Sequence, residues 1–207
     1  MIIESTNKKT DNRKNIDCDD NYGDMIGNSI SVIIQLRQFF CIFVYMIYIL
    51  DTINGKLVKS EIVVPDTKTL SLKKDGWKFN WRQLSKDGKI YILRTVDTPE
   101  NIQGALCLKI QYDMLIMNAL ELAPHNIGRE NKRYDYVAGC LIAYACRESF
   151  KIPGDYKGFL TFVSKTNLIK WYSEKYGAEL ALGQRMFIDW ENGEKLIDKY
   201  LNRTKID

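Results

Sequence analysis

The chain has 207 residues, 45% of them hydrophobic and 12% aromatic, enough for one domain with a sizeable core plus an extension. Its net charge of +4 permits an anionic ligand without demanding nucleic acid. Five cysteines (Cys18, Cys41, Cys107, Cys140, Cys146), odd in number and never spaced as CxxC, argue against a disulfide framework or a zinc site and for a reducing compartment. With one histidine, His125, and no GxSxG elbow, a Ser-His-Asp hydrolase is disfavoured.

Residues 1–29 are polar and charged, with almost no apolar periodicity, and are expected to be a disordered extension. Residues 30–50 (ISVIIQLRQFFCIFVYMIYIL) are apolar for about the length that spans a bilayer, yet contain Gln35, Arg37 and Gln38. Three readings of this run stay open: a membrane anchor, a helix packed on the domain, or a segment (30–45) outside a folding unit that effectively starts at Met46. From Ile47 the pattern becomes that of a hairpin, IYILDTI and KLVKSEIVV around Asn54-Gly55, which predicts a type I′ turn.

Residues 66–83 read as partly helical with a break at Gly76. Trp77, Phe79 and Trp81 form an aromatic group suited to core packing or, alternatively, to the wall of a substrate pocket. Strands are predicted at 89–96, 105–112 and 115–122, the last apolar nearly throughout and therefore central. A basic loop and a helix over VAGCLIAYACRESF follow. Then come a buried strand at 158–163, an amphipathic helix at 166–176 closed by Gly177, a strand at 184–190 and a final helix at 191–201. The order predicts an α/β (mixed α+β) fold, with a mixed, mainly antiparallel, twisted sheet and helices on both faces.

The stretch from 115 to 150 carries the chemistry. A helix N-terminus offers free N–H groups and partial positive charge, and here it starts with small residues and is preceded by Arg129, Lys132 and Arg133. Arg133-Tyr134-Asp135-Tyr136-Val137-Ala138, followed by Gly139, Leu141-Ile142 and Ala145, resembles the pyrophosphate motif Gln/Arg-x-x-Gly-x-Gly/Ala of the GNAT (Gcn5-related N-acetyltransferase) superfamily. Tyr136 stands where the family has its first glycine. Such a tyrosine must point away from the phosphates or replace a backbone contact with its hydroxyl. Leu120-x-Leu122-x-Pro124 resembles the family's strand before the phosphate loop, with HNIGRENK as an insertion. KWYSEKYGAE is similar to the end of the family's "FYEKLGF" helix, although the usual tyrosine position falls on Ser173 and Tyr172 is one residue out of register. The resemblance covers 46–201. A closer similarity, to a bacterial subgroup without an assigned substrate, runs through Ala123-Pro124-His125-Asn126, Lys132 to Ala145 and Lys165-Thr166 with Leu168-Ile169.

The resemblance implies a cytoplasmic bacterial N-acetyltransferase domain over 46–207, with acetyl-CoA as co-substrate, no metal and an amine acceptor. It implies CoA contacts from Leu122 and from residues 133–139. Glu121, the one carboxylate in an otherwise apolar strand, is the candidate base, its pKa expected to rise with burial. Asn118, three residues earlier, faces the other side unless a bulge intervenes. Tyr172 is the candidate acid for the leaving thiolate, with core packing as its plainer role. His125 reads as a loop histidine, and Cys140 and Cys146 as small core residues. A non-catalytic acyl-CoA-binding module on the same fold is the alternative. Nucleic-acid binding through Lys68, Lys73, Lys74, Lys78 and Arg82 is disfavoured by the interspersed acids. A homodimer stays open.

Overall fold

The computed structural model describes residues 47–70, 75–128 and 132–204. The polar extension 1–29 and the apolar run as far as residue 46 lie outside the described residues. The last four residues of that run fall in the first strand. Among the described residues, no helix is long and apolar enough to cross a membrane.

The strands are β1 (Ile47–Asp51), β2 (Lys56–Val63), β3 (Lys89–Thr95), β4 (Ile102–Gln111), β5 (Met114–Leu122), β6 (Tyr134–Asp135), β7 (Leu160–Val163), β8 (Glu179–Leu182) and β9 (Arg185–Ile188). The helices are α1 (Trp81–Asp87), α2 (Val137–Ser149), α3 (Ile169–Tyr176) and α4 (Trp190–Tyr200). All nine strands form one sheet in the order β6-β1-β2-β3-β4-β5-β7-β9-β8. The β5–β7 pair is parallel and every other pairing is antiparallel. This is the mixed, mainly antiparallel sheet that the element order predicts.

Alternation along the strands divides the core between the two faces. Tyr91, Leu93, Leu106 and Leu108 face α2 and α4. Ile90, Ile92, Ala105 and Cys107 face the other way, onto Trp77 and Trp81 at the start of α1. Helices therefore cover both faces. Helix α2 is buried on almost every side. Leu141 and Ile142 are fully enclosed, each worth about 1.5–3 kcal/mol of hydrophobic stabilisation. Helix α4 begins at Asp189, whose side chain accepts from Asn192 N at 2.8 Å. It lays Leu196 and Tyr200 onto the core.

The local geometry departs in places from the reading of the sequence. The turn at Asn54-Gly55 is not type I′. Only Gly55 has positive φ (62°), and Asp51 Oδ1 accepts from the amides of Ile53 and Asn54, so a side chain builds a four-residue loop. The tight turn with two left-handed residues is the β4–β5 connection, at Tyr112 (φ 53°) and Asp113 (φ 56°). Within the stretch 66–83 that reads as partly helical, the described residues form a 3₁₀ turn over Thr67–Thr69 and, from Trp81, helix α1, capped by Asn80. Strand β8 escaped prediction because it is an edge strand exposed at all four residues, with no buried face to impose alternation.

Gly139 sets how closely α2 and α4 approach, since a Cβ there would lie 2.2 Å from Tyr200 Cε1. Gly139→Ala is expected to lower stability in urea unfolding by about 1–3 kcal/mol through overpacking. Tyr200→Leu in the same chain should recover part of that loss. An unchanged midpoint in Gly139→Ala refutes the close-approach account.

Candidate active site

The N-terminus of α2 lies beside β1, held there by the two-residue strand β6 (Leu50↔Asp135, Asp51↔Tyr134). The first bond of the helix runs from Cys140 N to Tyr136 O at 2.9 Å. The amides of Val137, Ala138 and Gly139 precede it and border a cavity of about 310 Å³. Lys132 and Lys175 supply positive charge at the same cavity. Tyr176 also lines it and is 2% exposed, with a buried hydroxyl that has no hydrogen-bond partner. A buried, unmatched O–H beside free amides and two cations makes a polar cavity suited to an anion.

Asp135 tempers this charge. Its carboxylate pairs with Lys132 at 2.6 Å and accepts from Tyr136 N at 2.7 Å. Burial pushes its pKa up, but Lys132 and the Tyr136 amide outweigh that and hold it below the usual carboxylate value. Tyr136, the N-cap of α2, is left-handed at φ 69°, a backbone conformation that favours glycine. Its ring packs edge-on to Tyr200 and lies under the Arg203 guanidinium, 3.7 Å from the ring centroid.

A second cavity, of about 280 Å³, adjoins the first, and Leu122 and Ile127 border both. It forms because the β5–β7 ladder stops after three pairs, ending at Met117↔Phe162. Strand β5 continues to Leu122 while β7 ends at Val163. At the same point the β4–β5 register slips. Cys107 pairs with Ala119 and Leu108 with Met117, leaving Asn118 as the bulged residue. The bulge turns Asn118 to the α1 side, where its Nδ2 reaches Cys107 Sγ at 3.9 Å, and Glu121 lies on that same side. The opposition expected of a regular strand is thus removed. Tyr172 enters this cavity from α3, its ring 4.8 Å from that of Phe162. Burial raises the pKa of its phenol. Ser173, at the family's usual position, is exposed, and its carbonyl accepts from Gly177 N.

Glu121 is 7% exposed and fully engaged with the segment entering α1. Oε1 accepts from Lys78 N at 2.6 Å, and Oε2 accepts from Phe79 N and from Trp81 Nε1, each at 3.1 Å. Trp81 and Trp77 are core residues, whereas Phe79 is 43% exposed and walls the cleft. The aromatic group therefore divides between the two roles anticipated for it.

The structure brings together Asn118, Glu121 and Tyr172 at one cavity, and Leu122, Tyr134 and Asp135 with the start of α2 at the other. Arg133 is turned away. Its Nη1 lies 2.5 Å from Asp51 Oδ1, and its guanidinium covers the Tyr134 ring. Arg129 lies outside the described residues. His125 also faces elsewhere, with Nε2 2.7 Å from Gln103 Oε1. Buried Asn126, just after β5, donates to Gln103 O and accepts from Tyr134 N, tying the end of β5 to β4 and β6. The reading from sequence missed Lys175 and Tyr176. The signal was partial: Trp171 and Lys175 share one face of α3 at i and i+4, while Tyr176 is that helix's buried residue. Cys107, Cys140 and Cys146 are buried free thiols, and burial raises the last two to about 12. Among the described residues, no cluster of three or more His, Cys, Asp or Glu could hold a metal ion.

Two measurements test this geometry. Glu121→Gln places an NH₂ group against N–H donors and is expected to cost about 1–3 kcal/mol of stability in urea unfolding. An unchanged midpoint refutes the anchoring role. Asp51 is 4% exposed. Burial raises its pKa, but the amides of Asn54 and Ile53 together with Arg133 outweigh that and leave it lowered from 3.8. A carboxylate with a depressed native pKa stabilises above its unfolded value and loses that contribution as pH falls through the native one. Asp51→Asn is therefore expected to be less stable at neutral pH and to lose less of its remaining stability between about pH 4 and pH 2. Parallel acid-unfolding curves for the two chains count against this.

No protein-family model matches the sequence, and no curated protein does. The chain is similar in structure to AtaTR bound with acetyl-CoA, at 14% identity and a TM-score of 0.45, over 67% of this chain and 96% of that one. It is similar to a GNAT-family acetyltransferase from Listeria monocytogenes, at 11% identity and a TM-score of 0.42, over 63% and 93% of the two chains. It is also similar to nourseothricin acetyltransferase, at 14% identity and a TM-score of 0.35, over 69% and 83%.

Proposed function

We propose that residues 46–207 form an acetyl-CoA-dependent N-acetyltransferase domain that transfers an acetyl group directly to an amine. The observation that carries this reading is the pair of adjoining cavities, an anion site at the start of α2 and a cleft at the parting of β5 and β7. Together they fit a ligand with a diphosphate at one end and a thioester at the other. The amides of Val137, Ala138 and Gly139 hold the diphosphate, with Lys132 and Lys175 beside it. Leu122 and Ile127 border the path between, and the thioester lies near Asn118 and Tyr172. The reducing compartment read from cysteine usage is the proposed setting.

The amine nitrogen attacks the thioester carbonyl, a C–N bond forms, and the C–S bond breaks as the tetrahedral intermediate collapses. Glu121 Oε1, which keeps a lone pair beyond its bond to Lys78 N, receives the ammonium proton by way of a water. Tyr172 gives its phenolic proton to the leaving thiolate and is reprotonated by the second proton that the nitrogen sheds as the amide forms. A phenol whose pKa is raised by burial stays protonated through neutral pH, as an acid must. The engagement of both Glu121 oxygens favours a second reading, in which the domain binds acyl-CoA without turning it over.

Calorimetry with acetyl-CoA tests the shared part. Binding is expected, and Lys132→Glu with Lys175→Glu should weaken it by about tenfold or more. Absence of binding to the unsubstituted chain overturns both readings. Thiol release with primary amines separates them. Turnover is expected, and Tyr172→Phe should lower kcat by about 10²-fold with little change in KM for acetyl-CoA. Binding without release in any amine leaves the non-catalytic reading standing alone.

A further inference from the structure

We infer that the acceptor is a primary amine that also carries a carboxylate. This rests on the acetyltransferase reading and extends it to the other side of the same cleft. The anion site lies on the α2 face of the sheet, so the amine must come from the α1 face or the rim of β7. There the cleft is bordered by Lys78, Phe79, Asn118, Glu121 and Lys165.

The charges on that border are one-sided. Glu121 is buried and its oxygens hold three N–H donors, so the lone pair left on Oε1 can serve a bridging water but not a direct ion pair with a cationic acceptor. Lys78 and Lys165 are exposed, and among the described residues neither has a carboxylate within ion-pair distance. Other nearby acids are directed elsewhere. Glu61 pairs with Arg94, and Asp75 and Glu100 line a separate cavity beside His125. A polyamine or polycationic sugar would therefore meet two ammonium groups with no open counter-charge among the described residues of the cleft. An amine bearing its own carboxylate would meet complementary charge, which also speeds its encounter with the site. Exposed Phe79 supplies apolar surface for the hydrocarbon part of such a molecule.

The test follows thiol release from acetyl-CoA with a panel of free amino acids, each paired with its carboxamide, and with spermidine. The carboxamides have less basic amines, so nucleophile ionisation alone favours them, and a preference for the acids must come from the site. At least one acid is expected to exceed its carboxamide by about tenfold in kcat/KM, with the margin shrinking as salt is raised. The margin should fall in Lys78→Gln with Lys165→Gln, and return in the paired Arg variants. The inference is overturned if no acid exceeds its carboxamide, no turnover with either included, or if spermidine is the best acceptor. Calorimetry with acetyl-CoA on the same preparation separates the two levels. Absence of binding removes the acetyltransferase reading itself, whereas binding without an acid preference removes only the acceptor assignment.

Discussion

The candidate site depends on the short ladder between β5 and β7. Three residue pairs join the strands, and β5 then runs on for five residues with no partner on that side. Backbone amides and carbonyls along an unpaired edge need hydrogen bonds from somewhere. Since β4 pairs with the other edge, those of residues 118–122 are offered to whatever occupies the cleft. The bulge at Asn118 increases the local twist and realigns side chains at the same point. One irregularity therefore opens the cavity, frees donors along its wall and places Asn118 on the side that holds Glu121.

Glu121 shows how the opening is kept from collapsing. A carboxylate taken out of water costs several kcal/mol unless it is matched by donors. Here the donors are two amides and an indole from the segment leading into α1, which has little other regular structure to fix it. The charge fastens that segment across the α1 face and sets Phe79 at the cleft. Placement and chemistry are thus coupled, because a group buried firmly enough to anchor a loop has few lone pairs left for a proton. The same tension recurs at α2, where Asp135 satisfies the Tyr136 amide and takes one amide from the anion site.

The sheet class, most strands and the helix bearing the anion site were legible because each has a buried face that imposes period or apolarity on the sequence. Strand β8 has none. The β4–β5 turn was missed because Tyr112 and Asp113 adopt left-handed conformations that their residue types do not advertise, whereas Asn54-Gly55 advertised a turn that Asp51 rebuilt. Glu121, Tyr172, Leu122 and the residues opening α2 stand out by strand pattern and motif resemblance, and in the structure they line the two cavities. Arg133 was the natural phosphate ligand by spacing. Its partner Asp51 lies 82 residues away, across the β1–β6 pairing, and no local pattern announces it. Lys175 was overlooked for the converse reason, since it belongs to the anion site only through the packing of α3.

Tyr136 brings these constraints together. A non-glycine residue in the left-handed region costs about 1–2 kcal/mol, and glycine there would avoid it. The tyrosine ring offsets that cost by stacking on the Arg203 guanidinium and packing against Tyr200, the ring that also forbids a side chain at Gly139. The residue thus joins the N-terminus of α2 to the end of α4, trading backbone freedom for a fixed helix start. Its ring is occupied by Tyr200 and Arg203 and its amide is taken by Asp135, so the amides left open at the start of α2 are those of Val137, Ala138 and Gly139.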